Sequence, residues 1–323
     1  MLDCRASRSP PDLAQSDGSV SGTLAGDPRT FEALAWNSRF LNKPSKRQAM
    51  TRHHIKVEID EPVASLIFNR PHVLNAFHNE AMDECRAALR ELAEDDRVRA
   101  ILIRGEGRAF SAGFDMKASA QRDMSTVDHI RRQMERQFDF IMAFWDCPKP
   151  TIALVHGFCM AGAFEVALAC DITVAAEGTR FGEPEVRFGT GIVAMLLPWI
   201  VLPKHAKEML LTGNDKMDAA RAHAIGIVNH VVPGDELLAF GRRTAFDIAA
   251  AAGPSVFFTK RAMNRTYEIM GMRDALRASL DIDVILNATP SAEKAEFNRI
   301  RKEQGLKAAL AWRDSRFSDG KAK

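Results

Sequence analysis

The feature that most constrains this chain is a set of short apolar runs, each bounded by turn residues and separated by stretches long enough for helices. Residues 100–103 stop at Gly105 and Gly107, residues 151–155 stop before Gly157, and residues 171–175 form a third run. Their length and their glycine boundaries suit buried strands. Two more strands precede them. Ile55, Val57 and Ile59 alternate with polar residues, as a half-buried strand should, and a turn at 60–62 leads into 63–68. Between the strands the period changes. Ala81, Met82, Cys85, Ala88, Leu89 and Leu92 fall at helical spacing, with acidic residues opposite. Residues 124–145 read as a helix closed by Pro148 and Pro150, and another runs from near Gly162 to Cys170. Recurrence of strand, helix and strand predicts an α/β fold with short crossovers. From Asp235 onward the pattern is helical, in separable segments at 255–269, 274–287 and 292–310.

Composition narrows the possible functions. With 323 residues, 46% of them hydrophobic, the chain can bury a substantial core. The 44 basic and 42 acidic residues nearly cancel, so nothing points to a polyanionic partner such as nucleic acid. Basic clusters at 204–207 and 299–302 read as solvated helix faces. The five cysteines (Cys4, Cys85, Cys147, Cys159 and Cys170) are odd in number and contain no CxxC pair, which favours reduced, buried thiols and a cytoplasmic location. His156 and Cys159 have ligand-like spacing but no second pair, so no metal site is expected. No apolar run reaches the roughly 18–20 residues needed to cross a bilayer. Residues 1–50 are rich in Ser, Pro, Gly and Asp and lack periodicity. They are expected to be a disordered extension, or a segment upstream of an internal start at Met50. They contain no secretory h-region, and four aspartates argue against a transit peptide.

Three stretches depart from core or surface patterning. Residues 109–117 (Ala-Phe-Ser-Ala-Gly-Phe-Asp-Met-Lys) follow a strand, and their small residues let a backbone turn approach a ligand, with Lys117 able to face a phosphate. Taken alone, this is an ordinary strand-to-helix loop. Residues 155–165 pass from a strand through small residues into a helix whose first turn carries Glu165. A glutamate there commonly just complements the helix dipole. However, Phe164, Val166, Ala167 and Leu168 surround it, and a buried carboxyl without a cation should have a raised pKa. The third stretch, Phe181-Gly182-Glu183-Pro184-Glu185, reads as a turn with Glu183 solvated. Spacing alone does not separate Glu185 from another solvated turn residue.

Together these stretches resemble the crotonase, or enoyl-CoA hydratase/isomerase, superfamily over nearly all of 51–323. The resemblance lies in A-F-x-A-G-x-D-x-K at 109–117, in Gly162, Glu165, Cys170 and Asp171, and in F-G-x-P-E at 181–185. It extends to Asn69-Arg70-Pro71 with Asn75-Ala76, and to Gly305 through Ala309 with Trp312-Arg313-Asp314. It implies a crotonase-like spiral of repeated ββα units at 51–250, with a C-terminal helical region at 251–323 that covers the site and makes subunit contacts in a homotrimer or a dimer of trimers.

The resemblance also implies an activity, addition of water to the 2,3-double bond of a 2-enoyl-CoA. Glu165 would activate the water and Glu185 would protonate carbon. The backbone N–H groups of Phe114 and Gly162 would form an oxyanion hole. Ala112, Phe114, Asp115, Met116, Lys117 and Gly162 would bind the acyl-CoA, with coenzyme A arriving as part of the substrate and no other cofactor. Double-bond isomerisation or thioester hydrolysis on the same scaffold is the alternative, and a non-catalytic RNA-binding role is a more distant one. The sequence departs from the family at 189–197, where a glycine-rich stretch is replaced by bulkier apolar residues expected to line the acyl pocket. Phe164 is also larger than the residue usual at its position.

Overall fold

The computed structural model describes residues 52–317, so the extension expected at 1–50 lies outside the described residues. Six strands form the main sheet. β1 (Ile55–Asp60) pairs antiparallel with β2 (Val63–Phe68), which is followed in parallel by β3 (Ala100–Gly105), β4 (Thr151–Val155), β6 (Ile172–Ala176) and β9 (His230–Val232). A smaller sheet joins β5 (Phe158–Met160) and β8 (Met217–Asp218) to either side of β7 (Arg180–Gly182).

Period-two alternation sorts the main sheet's side chains into two cores. Leu66, Phe68, Ile101, Ile103, Ala153 and Val155 face the larger core, under helices Asn79–Glu94 and Val127–Trp145. Val63, Ala100, Leu102, Ile152, Leu154 and Val174 face the other, which the Leu237–Ala250 helix covers. Burial on both faces explains why these strands read as continuous apolar runs. β1 differs. It lies at the sheet edge, so Ile55 is buried, Val57 is half-buried and Ile59 is exposed, and the expected inward alternation fades along the strand.

Two helix boundaries differ from the sequence reading for local reasons. The helix expected from 124 starts at Val127, because the Thr126 hydroxyl accepts the His129 N–H at 3.2 Å and caps it there. The single segment expected at 292–310 is two helices, Ala292–Gln304 and Leu306–Ser315. They break at Gly305, whose φ of 89° takes it out of the helical region. The Met272–Ala288 helix packs along Val127–Trp145. Behind it, Phe297 and Ile300 of the Ala292–Gln304 helix pack with Met116 and Phe188.

Candidate active site

Asn75 holds together the loop that follows β3. This buried residue donates from Nδ2 to the Glu106 and Ala109 carbonyls at 2.9 Å, and its Oδ1 accepts the Arg70 N–H. The loop then runs beside β5. The Phe110 N–H donates to the His156 carbonyl at 2.8 Å, and Ser111 bridges to Cys159. Phe77 accepts the Asp115 N–H and donates its own N–H to the Gly113 carbonyl, which spans Phe114 and leaves that residue's N–H unused. Gly113 sits at φ 84°, and a Cβ there would come within 2.8 Å of Ala161 Cβ and 3.3 Å of the Gly162 nitrogen. Only glycine allows the two loops this close.

The second loop enters the Gly162–Ala169 helix through Ala161. That residue adopts φ 55°, a region alanine rarely visits, and its N–H is fixed to the Gly182 carbonyl at 2.8 Å. Gly162 is the first helical residue, so its N–H has no intrahelical acceptor. Among the described residues neither the Phe114 nor the Gly162 N–H is hydrogen-bonded. The Phe114 ring lies against Gly162, where a Cβ would meet it at 2.4 Å.

The remaining binding candidates diverge. The Asp115 carboxylate is engaged internally. It accepts the Lys117 and Ala118 N–H groups, capping the Met116–Ala120 helix, and pairs with Arg70 at 3.0 Å. The Ala112 N–H donates to the Leu74 carbonyl. Met116 packs toward Phe297, and Lys117 is exposed. His156 Nε2 lies 2.9 Å from the Gly107 carbonyl, a structural contact. His54 is half-buried with its ring edge-on to His78.

Glu165 is 1% exposed and accepts the Ala194 N–H at 2.5 Å. Gly182 brings Glu185 to it, because a Cβ at Gly182 would strike Asp215 Cα at 2.4 Å, so β7 can seat here only with glycine. One carboxyl oxygen from each of Glu165, Glu183 and Glu185 lies within 4.8 Å of the other two. Burial first, and the neighbouring Glu185 second, push Glu165 well above the usual carboxylate range. Burial pushes Glu185 up to about 7, against the pull of hydrogen bonds from Glu183 and from its own N–H.

Glu183 contradicts the sequence reading. Expected to be solvated, it is 1% exposed, and burial followed by Glu185 and Glu165 drives its carboxyl far upward. Strand periodicity carried a signal here, since Glu183 stands two residues after the buried Phe181. Asp283 was not singled out either. It lies on the buried stripe of Leu276, Leu280 and Val284, and burial raises it to about 6 despite the Gly191 N–H, Lys294 and Asn287. Asp283 also lines a cavity of about 350 Å³ with Val186, Gly191, Ile192, Met195 and Leu286, whereas Val193, Ala194, Leu196 and Leu197 of the 189–197 stretch pack into the larger core.

Buried carboxyls of raised pKa, with two unused main-chain donors, one in a loop and one at the start of the helix that carries Glu165, are chemistry suited to a substrate that develops negative charge on oxygen. The chain belongs to the enoyl-CoA hydratase/isomerase family, whose profile matches residues 58–311. A probable enoyl-CoA hydratase of Mycobacterium bovis is 36% identical over 222 residues, covering 68% of this chain and 84% of that one. A crotonyl-CoA hydratase of Syntrophomonas wolfei is 31% identical over 274 residues, covering 83% and 99%. The crystal structure of an enoyl-CoA hydratase/isomerase from Xanthobacter autotrophicus Py2 superposes with a TM-score of 0.81 at 48% identity, covering 83% of this chain and all of that one. The fold is that of the crotonase superfamily.

Proposed function

We propose that this protein is an enoyl-CoA hydratase that adds water across the 2,3-double bond of a 2-enoyl-CoA, with Glu165 and Glu185 as its acid/base pair. The reading rests on one observation, the approach of these two carboxyls to within 4.8 Å. Hydration needs a proton taken from water as its oxygen bonds to C3, and a proton delivered to C2. Isomerisation needs only one group to carry a proton between carbons, so a pair of carboxyls favours hydration. The N–H groups of Phe114 and Gly162 would receive the thioester oxygen as charge moves onto it. One such donor is worth about 3–4 kcal/mol in comparable sites. Lys117, exposed beside the loop, would meet the coenzyme A phosphates. Asp115 would act through the loop it caps.

The division of labour between the glutamates is a separate matter. Burial raises both Glu165 and Glu185 above the usual carboxylate range, so either can hold the proton that the pair exchanges with water and carbon. The proposal therefore rests on the pair, which titrates as a unit.

Among the described residues no helix is long and apolar enough to cross a membrane. Cys85, Cys147, Cys159 and Cys170 are free, which supports a reducing compartment such as the cytoplasm. Exposed apolar residues on the C-terminal helices, Phe258, Ile269, Ile282 and Ile285, support the proposed trimer or dimer of trimers. The function is tested with crotonyl-CoA and longer 2-enoyl-CoAs. Loss of the conjugated-thioester absorbance without release of free CoA is the expected result, and Glu165→Gln or Glu185→Gln should each cost about 10²-fold or more in kcat. Thiol release would indicate hydrolysis, and activity only on 3-enoyl-CoAs would indicate isomerisation.

A further inference from the structure

Two carboxyls suffice for the proposed chemistry, yet three converge. Glu183 is enclosed as fully as Glu165, and its Oε2 and that of Glu185 have no hydrogen-bond donor among the described N–H and O–H groups. Its backbone is fixed, with its N–H on the Asn214 carbonyl at 3.2 Å and Gly182 wedged on Asp215 before it. Among the described residues the titratable groups that face it are the acids Glu165, on the helix from Gly162, and Glu185, on the 3₁₀ turn Glu185–Phe188, together with the neutral Cys159 thiol on β5. Asp283, on the Met272–Ala288 helix, adds to the charge felt by Glu165 and Glu185. Three ionised carboxylates so enclosed would each carry a heavy desolvation cost with no cation to offset it.

The three glutamates differ in their donors. Glu165 receives the Ala194 N–H at 2.5 Å, and the nearby N–H groups of Val193 and of Glu185 itself favour the ionised forms of Glu165 and Glu185. Among the described residues no N–H donates to the Glu183 Oε2, and none contributes to its pKa. A carboxyl that accepts nothing is better served by keeping its proton, and as a neutral acid it supplies an O–H. We propose that Glu183 remains protonated and donates its O–H to the Glu185 carboxylate, acting as a positioning residue that fixes the orientation of Glu185 and favours its ionised form. Its kinetic consequence rests on the hydratase reading, but its protonation does not.

Two measurements test the proposal. The first is infrared difference spectroscopy of the full chain, wild type against Glu183→Gln, without substrate. A protonated-carboxyl carbonyl band should stand in the wild-type-minus-E183Q difference and persist between about pH 6 and 9. Its loss on titration to about pH 9 would overturn the proposal. The second is the pH profile of crotonyl-CoA hydration. Glu183→Leu removes the donor, so the limb governed by Glu185 should move to higher pH by about one to two units, and kcat should fall more than KM rises. E183Q offers an N–H in place of the O–H and should recover most of both. An E183L profile superimposable on the wild type would refute the positioning role. So would activity lost in EDTA and restored by Mg²⁺ or Mn²⁺, since a cation would then hold the three carboxyls. Should the wild type hydrate no enoyl-CoA at all, the hydratase reading fails, and the infrared band still decides the state of Glu183.

Discussion

Replacing Glu185 with glutamine should stabilise the fold at alkaline pH, because burial resists ionisation of that carboxyl in the native site while the unfolded chain ionises it freely. Its pKa moves from 4.5 to about 7 on folding, chiefly by burial. Between those values the unfolded chain has released its proton while the folded protein retains it. Stability therefore falls as pH rises through this window, and the loss is complete above about pH 7. At about 1.4 kcal/mol per pH unit the site costs roughly 3 kcal/mol at pH 8, most of which develops between pH 5 and pH 8. Glutamine has no proton to lose. The substitution also removes the charge that is the second cause of the upward displacement of both Glu165 and Glu183, which acts in the same direction. The assay is urea unfolding followed by tryptophan fluorescence at both pH values, at one fixed protein concentration so that assembly contributes equally. The stability of E185Q relative to the wild type should rise by roughly 2–3 kcal/mol from pH 5 to pH 8. A difference that stays constant over that range, or moves the other way, would refute the argument that Glu185 is buried next to other acids.

Two other substitutions probe the loops. Gly162→Ala places a methyl group 2.4 Å from the Phe114 ring, so one oxyanion donor must move, and kcat for hydration should fall about 10²- to 10³-fold in a protein whose circular dichroism is unchanged. Asn75→Ala strips the Glu106 and Ala109 carbonyls and the Arg70 N–H of their shared partner, and should cost about 3 kcal/mol, lowering the melting temperature by roughly 5–10 °C in calorimetry.

What the sequence made legible follows from where each signal is local. The central strands stand out because covering both sheet faces demands an unbroken apolar run, and 100–103 and 151–155 can satisfy nothing else. The helices stand out where one face is buried and the other wet, as at 79–94. The alternation of Ile55, Val57 and Ile59 identified a strand but not its depth, because depth depends on lying at the sheet edge. Gly305 ended a helix within an otherwise helical pattern, and only its backbone angles separate that role from a tolerated glycine.

The site was legible in its motifs and not in its full membership. Glu165 drew notice because apolar residues flank it along the chain, so its local context already implied burial. Glu183 and Asp283 are buried by residues distant in sequence: Glu183 by the turn carrying Asn214 and Asp215, Asp283 by the loop at Gly191. Yet both obey the period of their own element. Glu183 continues the inward face of β7 after Phe181, and Asp283 falls on the stripe of Leu276 and Leu280. A charged residue that keeps an apolar register is held inside by its neighbours' packing, and it must then find a partner or stay neutral. In this protein that rule adds acids to acids, which is why protons, rather than opposite charges, are what the carboxyl cluster shares.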